Sequence, residues 1–499
     1  MTIDAAIENF LRASRQPVLM EPGEDPLPIT PQTFAMSVFG VSVTVECWSE
    51  TRNLVRRVRS VLRQKRGYVE LEIERFGGRT GTVTLVDLAD PANREASRRG
   101  SRLKYRERFR RSLCRQFPDW RIAELSTEPD LHHTLSPSYP RALLRKGHAA
   151  MAAIGASEDS LSPEGVLSFG LIWLDYLRHR ETRIGIEALA IFVPVGAEIT
   201  TCHRVRHLSP QAARYLVFVH HAGEEDLIDP GDYTNFETHL DPCRRLMAES
   251  PARVLEWVDQ ISRIDGVQSR DRADGSVSLA VNGLEFARAQ GAEMLFGIDH
   301  KHVAGGSHLA EIEEIARGLA RMRSAHAPDR ANPIYMRHPE AWLESSVRGS
   351  IETLDATLYP SPVYGQVPQF AAGERGVIDL LAADRDGRMA VIELKAAQDI
   401  HLPLQALDYW MRVQWHLERG EFFGRGYFPG IGLSKTAPRL LLVAPALEFH
   451  PSNETVLQYF SPAVPVERIG IGLEWRRELR IMFRVLPSST PWPLPSSAR

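Results

Sequence analysis

The stretch "RGVIDLLAADRDGRMAVIELKAAQ", Arg375 to Gln398, holds two apolar runs separated by "DRDG". Each run is short and rich in Val, Ile and Leu, as buried strands are. A three-residue loop, Arg385-Asp386-Gly387, places glycine where a hairpin needs positive φ. That loop pairs Asp384 with Arg388, and counting inward sets Asp379 opposite Glu393. Opposed residues share one face of a sheet, with Cβ atoms about 5 Å apart. Lys395, two residues beyond Glu393, is on that face too. Ile378, Leu380, Ile392 and Leu394 point the other way, toward a core. Two carboxylates this close need either a proton on one of them or a cation between them. A hard divalent ion takes oxygen ligands, and Mg²⁺ accepts few carboxylates and several waters. The expected compensation is such an ion with a substrate phosphate beside the Lys395 ammonium. An ordinary ion pair on a solvated sheet face is the competing reading of the same residues.

The flanking sequence extends this pattern. "HPEAWLESSVRGSIETLD" begins a helix at Pro339, with Leu343, Val347, Ile351 and Leu354 facing a core and Glu344 at the edge of the stripe. "VYGQVPQF" is a further strand. "LPLQALDYWMRVQWHLERGEF" is a helix, and "PRLLLVAPAL" a last buried strand. On the helix, Gln405 and Tyr409 lie one turn apart, and Arg412 and His416 continue their polar face. The element order is αβββαβ.

"GVID" followed by "IELK", with "QALDY" on the next helix, resembles the motif set of the PD-(D/E)XK phosphodiesterase (restriction-endonuclease-like) superfamily, in its RecB-like nuclease branch with a QxxxY motif. The resemblance covers residues 335–447 or so, and Ile378 replaces the motif proline. It implies a restriction-endonuclease-like core in which Asp379, Glu393 and the Leu394 carbonyl ligate Mg²⁺ or Mn²⁺. Glu344 fits the acidic residue often found on the first helix, with Glu340 or Asp355 as alternatives. Lys395 would activate or position the attacking water, while Gln405 and Tyr409 would hold the nucleic-acid strand or the lysine. The implied activity is metal-dependent cleavage of phosphodiester bonds, in DNA rather than RNA, in repair or defence against foreign DNA. A nuclease-like fold that binds nucleic acid or a partner without cutting is the alternative, as is an RNA-directed or ligand-activated nuclease. The four-cysteine iron–sulfur pattern of some relatives is missing.

The rest of the chain yields less. At 499 residues, 43% hydrophobic and 25% charged, it is long enough for several domains and is composed like an ordinary soluble globular protein, while the pattern of its elements reads as α/β. No apolar run approaches a membrane span and no secretory signal opens it, so a cytoplasmic protein with no membrane partner is expected. A net charge of −3 confines any nucleic-acid contact to a local patch. The best patch is "REASRRGSRLKYRERFRRSLCR" (94–115), with ten Arg or Lys against two Glu. As a helix it lines up Arg98, Arg102, Arg106 and Arg110, opposite Tyr105 and Phe109, for phosphate contact. With Arg412 these are the nucleic-acid-binding candidates, although a solvated helix face reads equally well.

The four cysteines lie far apart, which points to free buried thiols. Residues 1–34 read as an arm or linker. Residues 35–125 read as a βαββ-like module with helix 52–66 and a hairpin turn at Gly77-Gly78. A mixed α/β middle region (126–325), a boundary at 325–334, the αβββαβ domain (330–487) and a disordered tail (488–499) follow. Within the middle region "ITTCHRVRHL" reads as a strand, and "SVSLAVNGLEFARAQG" as a strand leading into a helix. A protein partner or a homo-oligomer is compatible with this organisation.

Overall fold

Strand pairing around the long segment Asn53–Lys65 shapes the first part of the molecule. The computed structural model describes residues 2–21, 26–39, 42–48, 53–74, 80–158, 160, 162–221, 223–243, 251–272, 275–371 and 374–486. The chain is mixed α/β and forms two compact units. One comprises residues 1–130 and 136–142, the other 131–135 and 143–499. The turn expected at Gly77-Gly78 and the tail expected at 488–499 lie outside the described residues.

In the first unit, seven strands form an antiparallel sheet in the order 27–28, 17–20, 80–87, 68–74, 53–65, 42–48, 34–39. The helix Ile3–Ala13 covers it, burying Ile7 and Phe10 with Leu54, Val58, Leu71 and Leu85. The expected arm is therefore part of this core. The helix expected over 52–66 is a strand. Its ladder shifts between Val58 and Ser60 and again between Val61 and Arg63, so its apolar residues recur at irregular, helix-like intervals. Arg56 points inward because Glu21, itself buried, accepts its guanidinium at 2.9 Å. The basic stretch forms the helix Pro91–Gln116 as expected, with Tyr105, Phe109 and Leu113 buried along one side.

The second unit holds three sheets. One carries a parallel ladder, Ala149–Gly155, Ile186–Pro194 and Arg214–His221, joined by the helices Val166–Arg180 and Glu198–Val205. The second of these helices replaces the strand expected at "ITTCHRVRHL". A five-stranded antiparallel sheet (267–303) is packed by the helices Ala252–Ser262 and Leu309–Met322. There "SVSLAVNGLEFARAQG" is a hairpin of two strands, 277–281 and 284–290, turning at Asn282 (φ 45°) and Gly283 (φ 78°). Asn-Gly is the preferred pair for two positive φ values in succession. Gly283 also lies against the backbone of Ala341, where a Cβ would stand 1.9 Å from the carbonyl oxygen.

The third sheet has seven strands in chain order: 238–240, 364–371, 374–383, 389–394, 439–445, 466–471 and 481–485. The strands from 238 to 394 pair antiparallel. The next two join in parallel, and the last is antiparallel. From residue 339 to 445 the elements follow the expected αβββαβ order, the first helix breaking at Ser350 into 339–349 and 351–354. The stretch 325–334 lies inside this second unit, where Arg323 is fully buried and donates to the carbonyls of Asn282, Ile334 and His338.

Candidate functional site

The hairpin around Gly387 builds the site, and its register is the one read from the sequence. Leu380 pairs with Ile392, Leu381 with Val391 and Ala383 with Met389, which sets Asp379 across from Glu393 at the open end. Gly387 has φ 77°, and its missing Cβ would stand 2.0 Å from the Gly432 carbonyl oxygen. Only glycine meets both conditions. On one face Leu380, Ile392 and Leu394 pack with Trp342, Leu343 and Val347 of the helix Pro339–Gly349. The charged side chains emerge on the other face.

Beyond Leu380 the ladder gives way to side-chain bonding. The Leu394 N–H donates to Asp379 Oδ2 at 2.8 Å. Lys395 Nζ lies 3.3 Å from Glu393 Oε1 and 3.9 Å from Asp399 Oδ2. Glu393 is 2% exposed, and its Oε2 has no hydrogen-bond partner. Burial pushes the Asp379 carboxyl up to about 6, against the opposing pull of the Leu394 N–H and Lys395. Burial and the Asp379 charge push Glu393 well above the carboxylate range. Burial alone would lower Lys395. The carboxylates of Glu393, Glu340, Asp379 and Asp399 outweigh that and raise it, so the amine stays an ammonium.

The helix Leu402–Glu418 covers this face, with Leu404, Leu407 and Met411 buried. Gln405 donates to the Tyr409 hydroxyl at 3.4 Å. Burial and the Glu393 charge raise the Tyr409 phenol, which places it beside the carboxylates. The Arg412 guanidinium lies 5.9 Å from the centre of the Tyr409 ring. His416 departs from the expected polar face. It is buried between the Glu421 carboxylate at 2.6 Å and the Thr238 hydroxyl at 3.2 Å.

Glu344 is held by arginines, yet its charge still reaches Asp379 and adds to the raising of that carboxyl. It is 4% exposed, 3.2 Å from Arg270 and 3.9 Å from Arg348. Its Oε1 stands 2.6 Å from where a Gly365 Cβ would be, and Gly365 pairs with Leu380. Glu344 therefore lies on the Leu380 side of the sheet, opposite to Asp379. Asp355, the second alternative, is held at about 2, against its burial, by the Thr357 hydroxyl and N–H and by Arg439. Glu340, exposed in the first turn of the same helix, is the acidic residue there whose charge reaches Asp379, Glu393 and Lys395 together. Among the described residues no group of three or more His, Cys, Asp or Glu side chains is arranged to hold a metal ion. Two carboxylates with an unsatisfied buried oxygen still suit a hard cation that keeps most of its waters.

The basic helix lies in the first unit. Arg110 is engaged by Glu107 at 2.6 Å, while Arg106 is partly exposed. The Arg98 side chain lies outside what is described. Cys47 and Cys202 form no disulfide and are buried as expected, but Cys114 on this helix is exposed. No helix among the described residues is long and apolar enough to cross a membrane.

One feature of the site has no local sequence signal. A cavity of about 680 Å³ opens where the carboxyl ends of the parallel strands 149–155 and 186–194 meet the helix Leu402–Glu418. Gln405 and Asp399 line it, joining it to the carboxylates. Its wall is fixed by Arg204, which grips Asp408 with two bonds of 2.9 and 2.7 Å and donates to the Glu164 carbonyl. Compared with known proteins, the chain matches no family model and no curated sequence.

Proposed function

We propose that the second unit is a metal-dependent nuclease of the PD-(D/E)XK type, hydrolysing phosphodiester bonds, with DNA preferred over RNA. The observation that carries this reading is the unpartnered Glu393 Oε2, buried opposite Asp379 and next to an ammonium. A fully buried carboxylate oxygen left without a donor is costly unless a proton or a cation meets it. Asp379 and Glu393, with the Leu394 carbonyl, would hold Mg²⁺ or Mn²⁺. When bound, that ion supplies Lewis-acid polarisation of the phosphate and a more acidic water.

The protein groups divide the remaining work. Lys395, kept charged by the carboxylates around it, places positive charge where the attacked phosphate gains negative charge. Glu393 and Asp399 hold that amine from two sides, which limits its wandering. Tyr409, fixed by Gln405, roofs the carboxylates and keeps bulk water from them. Arg412, one turn further, offers a guanidinium to the next phosphate of the strand. Glu344 binds Arg270 and so ties the helix Pro339–Gly349 to the five-stranded sheet, and its charge also reaches Asp379.

The experiment is cleavage of linear duplex, circular and single-stranded DNA and of RNA, with Mg²⁺ or Mn²⁺, by wild type and Lys395→Ala. Metal-dependent cutting lost in Lys395→Ala, with the circular dichroism spectrum unchanged, is expected. Equal cutting by both proteins would reject the assignment.

A further inference from the structure

We infer that the 680 Å³ cavity beside the carboxylates receives one unpaired nucleotide of the strand being cut, so that the substrate is single-stranded or frayed at the reacting position. This rests on the nuclease reading and names its substrate class. The volume falls within the range that encloses a small organic group and is too small for a duplex. Its position is set by two links to the reacting centre. Gln405 lines the cavity and bonds Tyr409, and Asp399 lines it and lies 3.9 Å from Lys395.

The lining decides which part of a nucleotide enters. Arg204 and Asp408 neutralise each other. That leaves Glu164, Asp232, Glu237 and Asp399 against Arg412. Burial lowers His203, against the Asn235 carbonyl and Asp408, with the Arg206 and Arg412 charges adding to the effect. A net acidic hollow repels phosphate, so this is not a phosphate cradle. It suits a neutral group with amino donors, which a nucleobase is. Two aromatic rings complete the fit. Phe236 lies tilted against the His203 ring, 4.2 Å between centroids, and is braced edge-on by Trp415 at 5.4 Å, which makes it a fixed wall. Tyr233 is half-buried, and among the described residues its ring meets no other, which leaves a face for a base. Its backbone is anchored by the Arg206 guanidinium at 2.7 Å. Arg412 then stands between the base in the cavity and the phosphate at Lys395, where the connecting backbone must pass.

The test uses the full chain carrying Glu393→Gln, to silence cutting, in chelator, with a short labelled oligo(dA) strand and a blunt duplex of the same length as probes. Tyr233→Ala is expected to weaken binding of the single strand roughly tenfold, the usual loss when a base-stacking aromatic is removed. Tyr233→Phe should stay within about twofold, because the ring is what matters. Ile199→Trp, which adds bulk at another lining position of the cavity, should reproduce the Tyr233→Ala loss. Duplex binding should be the same in all four proteins. Single-strand binding unchanged by Tyr233→Ala and Ile199→Trp, or duplex binding that falls in step with it, overturns the inference. Cleavage by the chain with Glu393 restored separates the two proposals. If it cuts and Tyr233→Ala cuts single strands as well as wild type, the cavity assignment fails alone. If it never cuts but the Tyr233 dependence of binding holds, the nuclease reading fails alone.

Discussion

Replacing Asp379 by Asn should silence the site and yet stabilise the metal-free protein. Burial raises the Asp379 carboxyl from 3.8 to about 6, a difference of about two units. At 1.36 kcal/mol per unit, keeping it ionised costs the native state ~3 kcal/mol. The native state binds more protons than the unfolded chain between those two values, so stability falls as pH rises from about 4 to about 6 and is level above. Asn carries no charge and avoids that loss. Its amide oxygen can still accept the Leu394 N–H, and the two-unit shift already includes the stronger bond to the ionised carboxylate. The net gain should be about 3 kcal/mol at pH 8 and close to zero at pH 4. Chemical unfolding followed by tryptophan fluorescence, in chelator at both pH values, measures it. An Asn variant less stable than wild type at pH 8, or a difference that does not change with pH, would refute the reasoning.

Three further outcomes follow from the same geometry. Arg204→Met leaves the half-buried Asp408 without its partner, and a loss of about 1–3 kcal/mol in unfolding free energy is expected. Recovery in Arg204→Met/Asp408→Leu would confirm that the unpaired charge, not the lost packing, is responsible. Gly387→Ala forces a Cβ at positive φ onto the Gly432 carbonyl, so a loss of at least ~2 kcal/mol and a lower melting temperature are expected. Arg106→Ala on the basic helix should lower the slope of log binding constant against log salt for duplex DNA by about one, if that helix contacts phosphate.

The site hairpin was legible because three local signals agreed: the alternation of each strand, the length of the turn and a glycine at its positive-φ position. Together they fix the register to the residue, and with it the meeting of Asp379 and Glu393. The pairing of Glu344 with Arg270 and Arg348 is something that sequence pattern does not reach. Helical periodicity shows that a residue borders the buried stripe, but not which face of the sheet the helix packs against. The strand Asn53–Lys65 was hidden by two bulges and by Arg56, whose inward direction depends on a buried glutamate more than thirty positions away in sequence. The Asn282-Gly283 hairpin did carry its own signal, the strongest dipeptide for such a turn, and the apolar periodicity beyond it masked it. The cavity drew its walls from segments near 164, 200, 235 and 405, which no local pattern connects.

The most direct measurement is a Mn²⁺ titration of the metal-free full-length protein by calorimetry, with wild type, Glu393→Gln and Lys395→Ala compared. The account requires a saturable Mn²⁺ site in wild type that is lost in Glu393→Gln and kept in Lys395→Ala. Absence of binding in wild type, or binding that survives Glu393→Gln unchanged, would contradict it.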